Sequence, residues 1–287
     1  MDYLEHLEHL ESETRGVVLR PHISVFGNQV PVYGLLMVVA GAVAWLVIMA
    51  LTRLTRAKNW ADSSDASLTY LIGISGGVTG AFLLRPIIKM FEVAIGWQRY
   101  DFAGISGFFN YIFGEIVFYG GFIGGLVAIL LFCRKFKIKI VPLFDIFAPA
   151  LALAHAIGRV GCFFAGCCFG VPVPYNHPFS VVYPTASLGA PPGISLLAAP
   201  LLEASFLLIL FIALAILCLV RKKPGLGATV YLLVYPVGRF ILEYFRGDII
   251  RGNYGLFTTS QIISVLVLAF GVVYYLRVRR IAIIDLS

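Results

Sequence analysis

Two short stretches concentrate ionisable residues and glycines inside otherwise apolar sequence. Residues 155–170, HAIGRVGCFFAGCCFG, set Arg159 four positions after His155, so both lie on one helical face. Residues 238–246, GRFILEYFR, set Arg239, Glu243 and Arg246 at i, i+4 and i+7, again on one face. Glu203 stands alone in APLLEASF, Glu115 opens another apolar run, and Tyr119 precedes two glycines, Gly120 and Gly121, in VFYGGFIGG. A charged side chain near hydrocarbon costs at least a few kcal/mol and faces a protein interior or a water-filled cavity, so each is a site hypothesis by default. Guanidinium is the side chain best suited to bidentate recognition of phosphate. Arg85, Arg159, Arg239 and Arg246 against Glu115, Glu203 and Glu243 leave a surplus of positive charge for such an anion. Plainer readings stand beside this one. Arg239 and Glu243 form an ion pair that only fixes helix packing, Glu115 and Glu203 are counter-ions rather than general bases, and Tyr119 is a buried tyrosine with a bonded hydroxyl.

Cys162, Cys167 and Cys168 allow three readings: small packing residues, a Cys162–Cys167 redox pair, or metal ligands with His155 or His177. There is no CxxC, adjacent cysteines do not bridge within ordinary disulfide geometry, and the histidines lack zinc-site spacing. That order favours packing, then redox, then metal, and no metal site is expected.

These residues need a scaffold, and composition names it. With 60% hydrophobic and 13% charged residues and a mean hydropathy of +0.91, the chain reads as an all-α integral membrane protein. Apolar runs near the roughly 20 residues needed to cross a bilayer occur at 31–52, 67–85, 115–133, 143–163, 196–220, 226–246 and 256–276, predicting seven transmembrane helices. Basic clusters follow the odd spans: Arg53, Arg56 and Lys58; Arg134, Lys135, Lys137 and Lys139; Arg221, Lys222 and Lys223; Arg277, Arg279 and Arg280. By the positive-inside tendency these face the cytoplasm, which places the N-terminus outside and the C-terminus inside. The net charge of +7 is then mostly a topology signal rather than a nucleic-acid footprint.

The expected organisation is an external segment 1–30, a transmembrane catalytic domain 31–276 with an external loop 164–195, and a cytoplasmic tail 277–287. Residues 1–13, MDYLEHLEHLESE, lack a signal-peptide pattern. Leu4, Leu7 and Leu10 suit either a short interfacial helix or a polar tail. Residues 101–113 are apolar but too short to span, which suggests an outer interfacial segment. Gly73, Gly76, Gly77 and Gly80 against Gly120, Gly121, Gly124 and Gly125 predict close packing of the second and third spans. The Pro-rich loop (Pro172, Pro174, Pro178, Pro184, Pro191, Pro192) would cap the arginine site. No internal repeat is evident.

In order and spacing, these motifs resemble the bacterial prolipoprotein diacylglyceryl transferases over about Val25 to Tyr275. The resemblance rests on Tyr33 and Gly34; residues 118–125; Gly158, Arg159, Gly161, Phe163 and Gly166; Arg239, Phe240, Glu243, Phe245 and Arg246; and Gln261. It implies transfer of the diacylglyceryl group of phosphatidylglycerol to the thiol of a lipobox cysteine in a secreted precursor. Glycerol 1-phosphate would be released at the outer face of the bacterial cytoplasmic membrane by a monomer needing no metal or cofactor. Arg159 would bind the lipid head group, Arg239 would stabilise the departing phosphate and Glu243 would orient Arg239. Tyr119 would complete the catalytic set, while Arg246, Tyr33, Gly120, Gly121, Gly158, Glu203, Gln261 and His155 would contact substrate. Where many members carry a histidine this chain has Tyr119, a phenol that is a poor base at neutral pH. Cys162, Ala165 and Cys167 replace the family's Asn and Glu positions, and Leu197, Ala198, Ala199 and Pro200 replace a His-Pro-Ser-Gln run. Two alternatives follow: a related transferase with another acceptor, and a non-catalytic phospholipid-binding protein.

Overall fold

The computed structural model describes residues 17–18, 22–25, 28–55, 62–94, 118–183, 189–220, 224–248, 253–254 and 257–284. Glu115, the 101–113 segment, residues 1–16, Arg56, Lys58, Arg221, Lys222, Lys223 and Pro184 lie outside them. Seven long helices are described: α1 (Val32–Leu54), α2 (Ser63–Ala94), α3 (Phe118–Phe136), α4 (Ile140–Ala165), α5 (Ala199–Val220), α6 (Leu226–Leu242) and α7 (Thr259–Ile284). A single 3-10 turn, Glu243–Phe245, continues α6. All but α3 are long and apolar enough to cross a membrane, giving six candidate spans among the described residues. Their outer faces agree with that solvent: Val38 is 72% and Val220 71% exposed, whereas such residues fill the core of a water-soluble protein.

The connections carry strands that the sequence reading lacked. They are β1 (Val17–Val18), β2 (His22–Val25), β3 (Asn28–Pro31), β4 (Ser180–Val182), β5 (Ser195–Leu197), β6 (Asn253–Tyr254) and β7 (Phe257–Thr258). At two to four residues each, they are too short to show an alternating pattern. β4 pairs antiparallel with β5, Val181 opposite Leu196, and β1 adds in parallel with Val17 opposite Val181. The Pro-rich loop is thereby anchored over a small core of Phe169, Val181, Tyr183, Ala190, Leu196 and Ala198.

The chain divides into two compact units, 56–143 and the remainder. In the first, α2 and α3 run antiparallel along the two predicted glycine stripes. A Cβ added at Gly76 would sit 2.8 Å from the Gly124 carbonyl oxygen, and one at Gly124 would sit 2.8 Å from Gly80 Cα. The backbones touch, and only glycine fits between them.

The second unit holds α1 and α4–α7. Its interior is built from Ala148, Ala152, Leu210 and Leu214, with Phe211, Val230, Tyr231 and Tyr235 packed against them. Asp145 is 1% exposed and accepts hydrogen bonds from the Gly225 (2.5 Å) and Ala228 (2.8 Å) amides. A carboxylate of α4 thus satisfies free donors at the start of α6, where the helix dipole also favours negative charge. Toward the other end of the same helices, Arg159 of α4 and Arg239 in the last turn of α6 approach Glu203 of α5.

Gly124→Val should lower the melting temperature of the detergent-solubilised protein and its folded yield, because a branched side chain forces α2 and α3 apart. Gly34→Ala, whose new Cβ would meet only Pro31 Cγ at 3.8 Å, should leave both unchanged. Equal melting curves for the two variants would refute the close-packed stripe.

Candidate functional site

Where α4, α5 and α6 approach one another, one carboxylate faces two guanidinium groups. Glu203 enters from the second turn of α5 and is 3% exposed. Its Oε1 lies 3.1 Å from Arg159 Nε and 3.8 Å from Arg239 Nε. The Tyr235 hydroxyl donates to the same oxygen at 3.4 Å. Arg159 Nε also donates to His155 Nε2 at 3.3 Å. That nitrogen is then an acceptor, which assigns the neutral imidazole with its proton on Nδ1. The His155 ring packs edge-on against Tyr235, centroids 5.1 Å apart.

Arg239 links this centre to a second carboxylate. Its Nη2 lies 2.7 Å from Glu243 Oε2, one helical turn on, and donates to Ser260 Oγ at 3.1 Å. Its Nη1 is buried and has no hydrogen-bond partner among the described residues. Glu243 Oε1 accepts from the Thr258 hydroxyl at 2.8 Å. Thr258 is also the N-cap of α7. Its Oγ1 accepts the Gln261 amide N–H (3.3 Å) while Gln261 Oε1 accepts the Thr258 N–H (3.0 Å), a reciprocal capping box.

Arg246 is held apart from the others. It makes a fork-to-fork pair with Asp248, Nε to Oδ1 at 2.8 Å and Nη2 to Oδ2 at 2.5 Å, and sits 3.8 Å from Glu243. The backbone here is fixed by a strand-like exchange with the cysteine-bearing loop. Val171 N–H bonds Phe245 O at 3.1 Å and Gly247 N–H bonds Phe169 O at 3.0 Å. Gly170 is needed in this crossing, since a Cβ there would lie 2.6 Å from Leu197 O.

The loop begins at the C-terminus of α4 with a Schellman turn. Gly166 adopts φ +70°, its N–H bonds Phe163 O at 3.4 Å, and Cys167 N–H bonds Cys162 O at 3.2 Å. None of the three cysteines is in a disulfide, and Arg159 Nη1 donates to Cys168 Sγ at 3.7 Å. Hydrogen bonding with Cys162 and Cys168 pushes the Cys167 thiol up from its ordinary pKa, and burial does the same for the Tyr183 phenol.

The structure thus brings together His155, Arg159, Glu203, Arg239, Glu243, Arg246 and Gln261. Gln261 spends its carbonyl oxygen on the helix cap. Tyr33 and Gly158 lie along the α1–α4 contact: a Cβ at Gly161 would meet Tyr33 Cδ2 at 3.1 Å, and one at Gly158 would meet Met37 Sδ at 3.7 Å. Gly120 and Gly121 belong to the α2–α3 stripe of the other unit, as does Arg85, which is 8% exposed on α2. Tyr119 falls in the first turn of α3. The expected surplus of arginine disappears within this cluster, because Asp248, which lies beyond the last apolar residue of the motif, neutralises Arg246. Sequence reasoning also missed Tyr235, Thr258 and Ser260. Tyr235 was signalled by its position four residues before Arg239, and Thr258 by the T-x-x-Q pattern of a capping box.

Glu203→Gln keeps the shape and removes the charge shared by Arg159 and Arg239. Breaking a buried ion pair by removing one partner costs roughly 3–5 kcal/mol, so thermal unfolding in detergent should show a loss of about that size. An unchanged transition would mean that Glu203 is not the carboxylate neutralising these arginines.

Comparison with known proteins agrees with the pattern of residues. The family model for prolipoprotein diacylglyceryl transferase matches residues 21–277. A phosphatidylglycerol–prolipoprotein diacylglyceryl transferase of Clostridium tetani is 31% identical over 86% of this chain and 93% of its own length. One of Clostridium perfringens, numbered 2, is 31% identical over 88% and 92%, and one of Chlorobaculum tepidum is 30% identical over 95% and 92%. The chain belongs to the prolipoprotein diacylglyceryl transferase family.

Proposed function

We propose that the protein transfers the diacylglyceryl group of phosphatidylglycerol to the thiol of a lipobox cysteine in a secreted precursor, releasing glycerol 1-phosphate. The observation that carries the reading is the orphaned Nη1 of Arg239. A buried guanidinium nitrogen without an acceptor is costly, and an anionic oxygen of the lipid phosphate supplies the missing partner. The other two nitrogens of Arg239 are held by Glu203, Glu243 and Ser260, so the open edge of the fork has a fixed direction.

In the reaction the acceptor sulfur, as thiolate, attacks the terminal carbon of the diacylglyceryl group. A carbon–sulfur bond forms, the carbon–oxygen bond to phosphate breaks, and its electron pair remains on the phosphate of glycerol 1-phosphate. Arg239 receives the growing negative charge at a position set in advance, the condition under which electrostatic stabilisation is largest. Arg159 holds the head group while Glu203 and His155 fix its guanidinium. Glu243 orients Arg239. Tyr33, Arg246, Gly158 and Gln261 shape the lipid and acceptor surfaces, and the acceptor gives up its proton to solvent as the thiolate forms.

The topology in this proposal is seven spans, with α3 the seventh crossing helix, the N-terminus outside and the C-terminus cytoplasmic. The basic clusters after α1, α3, α5 and α7 support it. The arginine site then opens to the outer face of the bacterial inner membrane, where secreted precursors emerge, and the protein acts as a monomer without metal or cofactor in the transfer.

Purified protein incubated with phosphatidylglycerol and a lipobox peptide should yield a peptide heavier by one diacylglyceryl group in mass spectrometry. Arg239→Lys keeps the charge but loses the fork, and should lower kcat by roughly 100-fold or more, the loss typical of removing one such donor. Lipid consumed without peptide modification would transfer the assignment to another acceptor; no consumption would leave a lipid-binding protein. Wild-type turnover by Arg239→Lys would remove the arginine from the leaving-group role.

A further inference from the structure

Cys162, Cys167 and Cys168 have no task in the transfer above, yet the chain gathers them closely. Their three sulfurs all lie within 4.8 Å of one another, and none is in a disulfide. Two local devices produce this. The Schellman turn at Gly166 folds the residue after it back over the last turn of α4, which sets Cys167 against Cys162. Cys168 then takes φ +60°, a left-handed conformation that costs a non-glycine residue on the order of 1 kcal/mol. The turn brings its sulfur back to the other two rather than letting the chain run on extended.

Sulfur ligands about 2.3 Å from a shared zinc-like ion stand on the order of 4 Å apart, so the observed spacing closes around an ion by side-chain adjustment alone. Cys162 and Cys167 are part-exposed, which gives an ion a path in, while Cys168 is 7% exposed.

The three residues offer sulfur as their ligand atom. Thiol ligands alone select soft or borderline cations and reject magnesium and calcium, which require oxygen donors.

We propose that Cys162, Cys167 and Cys168 form a trithiolate site for one thiophilic cation of the zinc, cadmium or monovalent copper class. Binding releases the thiol protons to solvent and changes no oxidation state. It also makes Cys168 Sγ, already an acceptor for Arg159 Nη1, an anionic partner of that arginine, so occupancy bears directly on the lipid-binding edge of the site.

The test uses the full chain in detergent, reduced and then freed of thiol reagents. Cadmium titration should raise a sulfur-to-cadmium charge-transfer band that saturates at one ion per chain. Cys133→Ser/Cys218→Ser should bind like wild type, and Cys162→Ser/Cys167→Ser/Cys168→Ser should lose the band while keeping its melting temperature. If the triple variant does not fold, Cys162→Ser and Cys167→Ser singly decide: each removes one sulfur ligand and should weaken the band, and wild-type binding by both overturns the proposal. Absence of the band in protein whose thiols titrate as reduced overturns the proposal, as does equal binding by the triple variant. So does a disulfide among the three that, once reduced, leaves protein unable to take up cadmium.

Discussion

Everything at this site depends on one carboxylate shared by two buried guanidinium groups. Removing such ions from water costs several kcal/mol each, recovered only when the partners are close and their remaining donors are satisfied. Glu203 meets that condition for Arg159 and Arg239 because α4, α5 and α6 bring the three residues to one level. Sliding any of them by a single residue shifts its charge by 1.5 Å and breaks the arrangement. Asp145 holds α4 to the start of α6 at the opposite end, which sets how far α6 reaches and so where Arg239 arrives.

Much of this was legible in the sequence, and what was not has physical causes. The apolar runs and the two glycine stripes announce helices and their closest contact because membrane crossing and backbone approach each demand a run of specific residue types. Arg159, Arg239, Glu243 and Glu203 stand out since charge is rare in such runs. Which arginine Glu203 would serve depends on the rotation of α5 against α4 and α6, which composition does not encode. Asp248 was passed over because it lies beyond the apolar pattern, where a carboxylate looks like ordinary loop. Its pairing with Arg246 neutralises that guanidinium and leaves the buried Nη1 of Arg239 as an unfilled donor among the described residues. Short strands such as β4 and β5 gain their pairing from the chain ends they join rather than from periodicity.

The cysteines illustrate the same limit from the other side. Linear spacing argued for packing, since Cys162 and Cys167 lack a chelating interval. Distances along the chain mislead where the backbone reverses, and Gly166 and Cys168, both with positive φ, supply that reversal. The loop they begin is then tied by Val171 and Gly247 to the segment bearing Arg246, so this corner and the ionic centre share one backbone framework.

The capping box at the start of α7 joins helix fraying to the state of the ionic centre. The Thr258 hydroxyl donates to Glu243 while its oxygen receives the Gln261 amide, so a single atom closes both the first turn of α7 and the chain of charges leading to Arg239. Opening that turn releases Glu243, and disturbing Glu243 removes a reason for the turn to stay closed. Amide hydrogen exchange at Gln261 therefore reports on the site from a position outside it: its protection should rise and fall with whatever anion Arg239 holds, as a cooperative local opening unit rather than as an independent helix end.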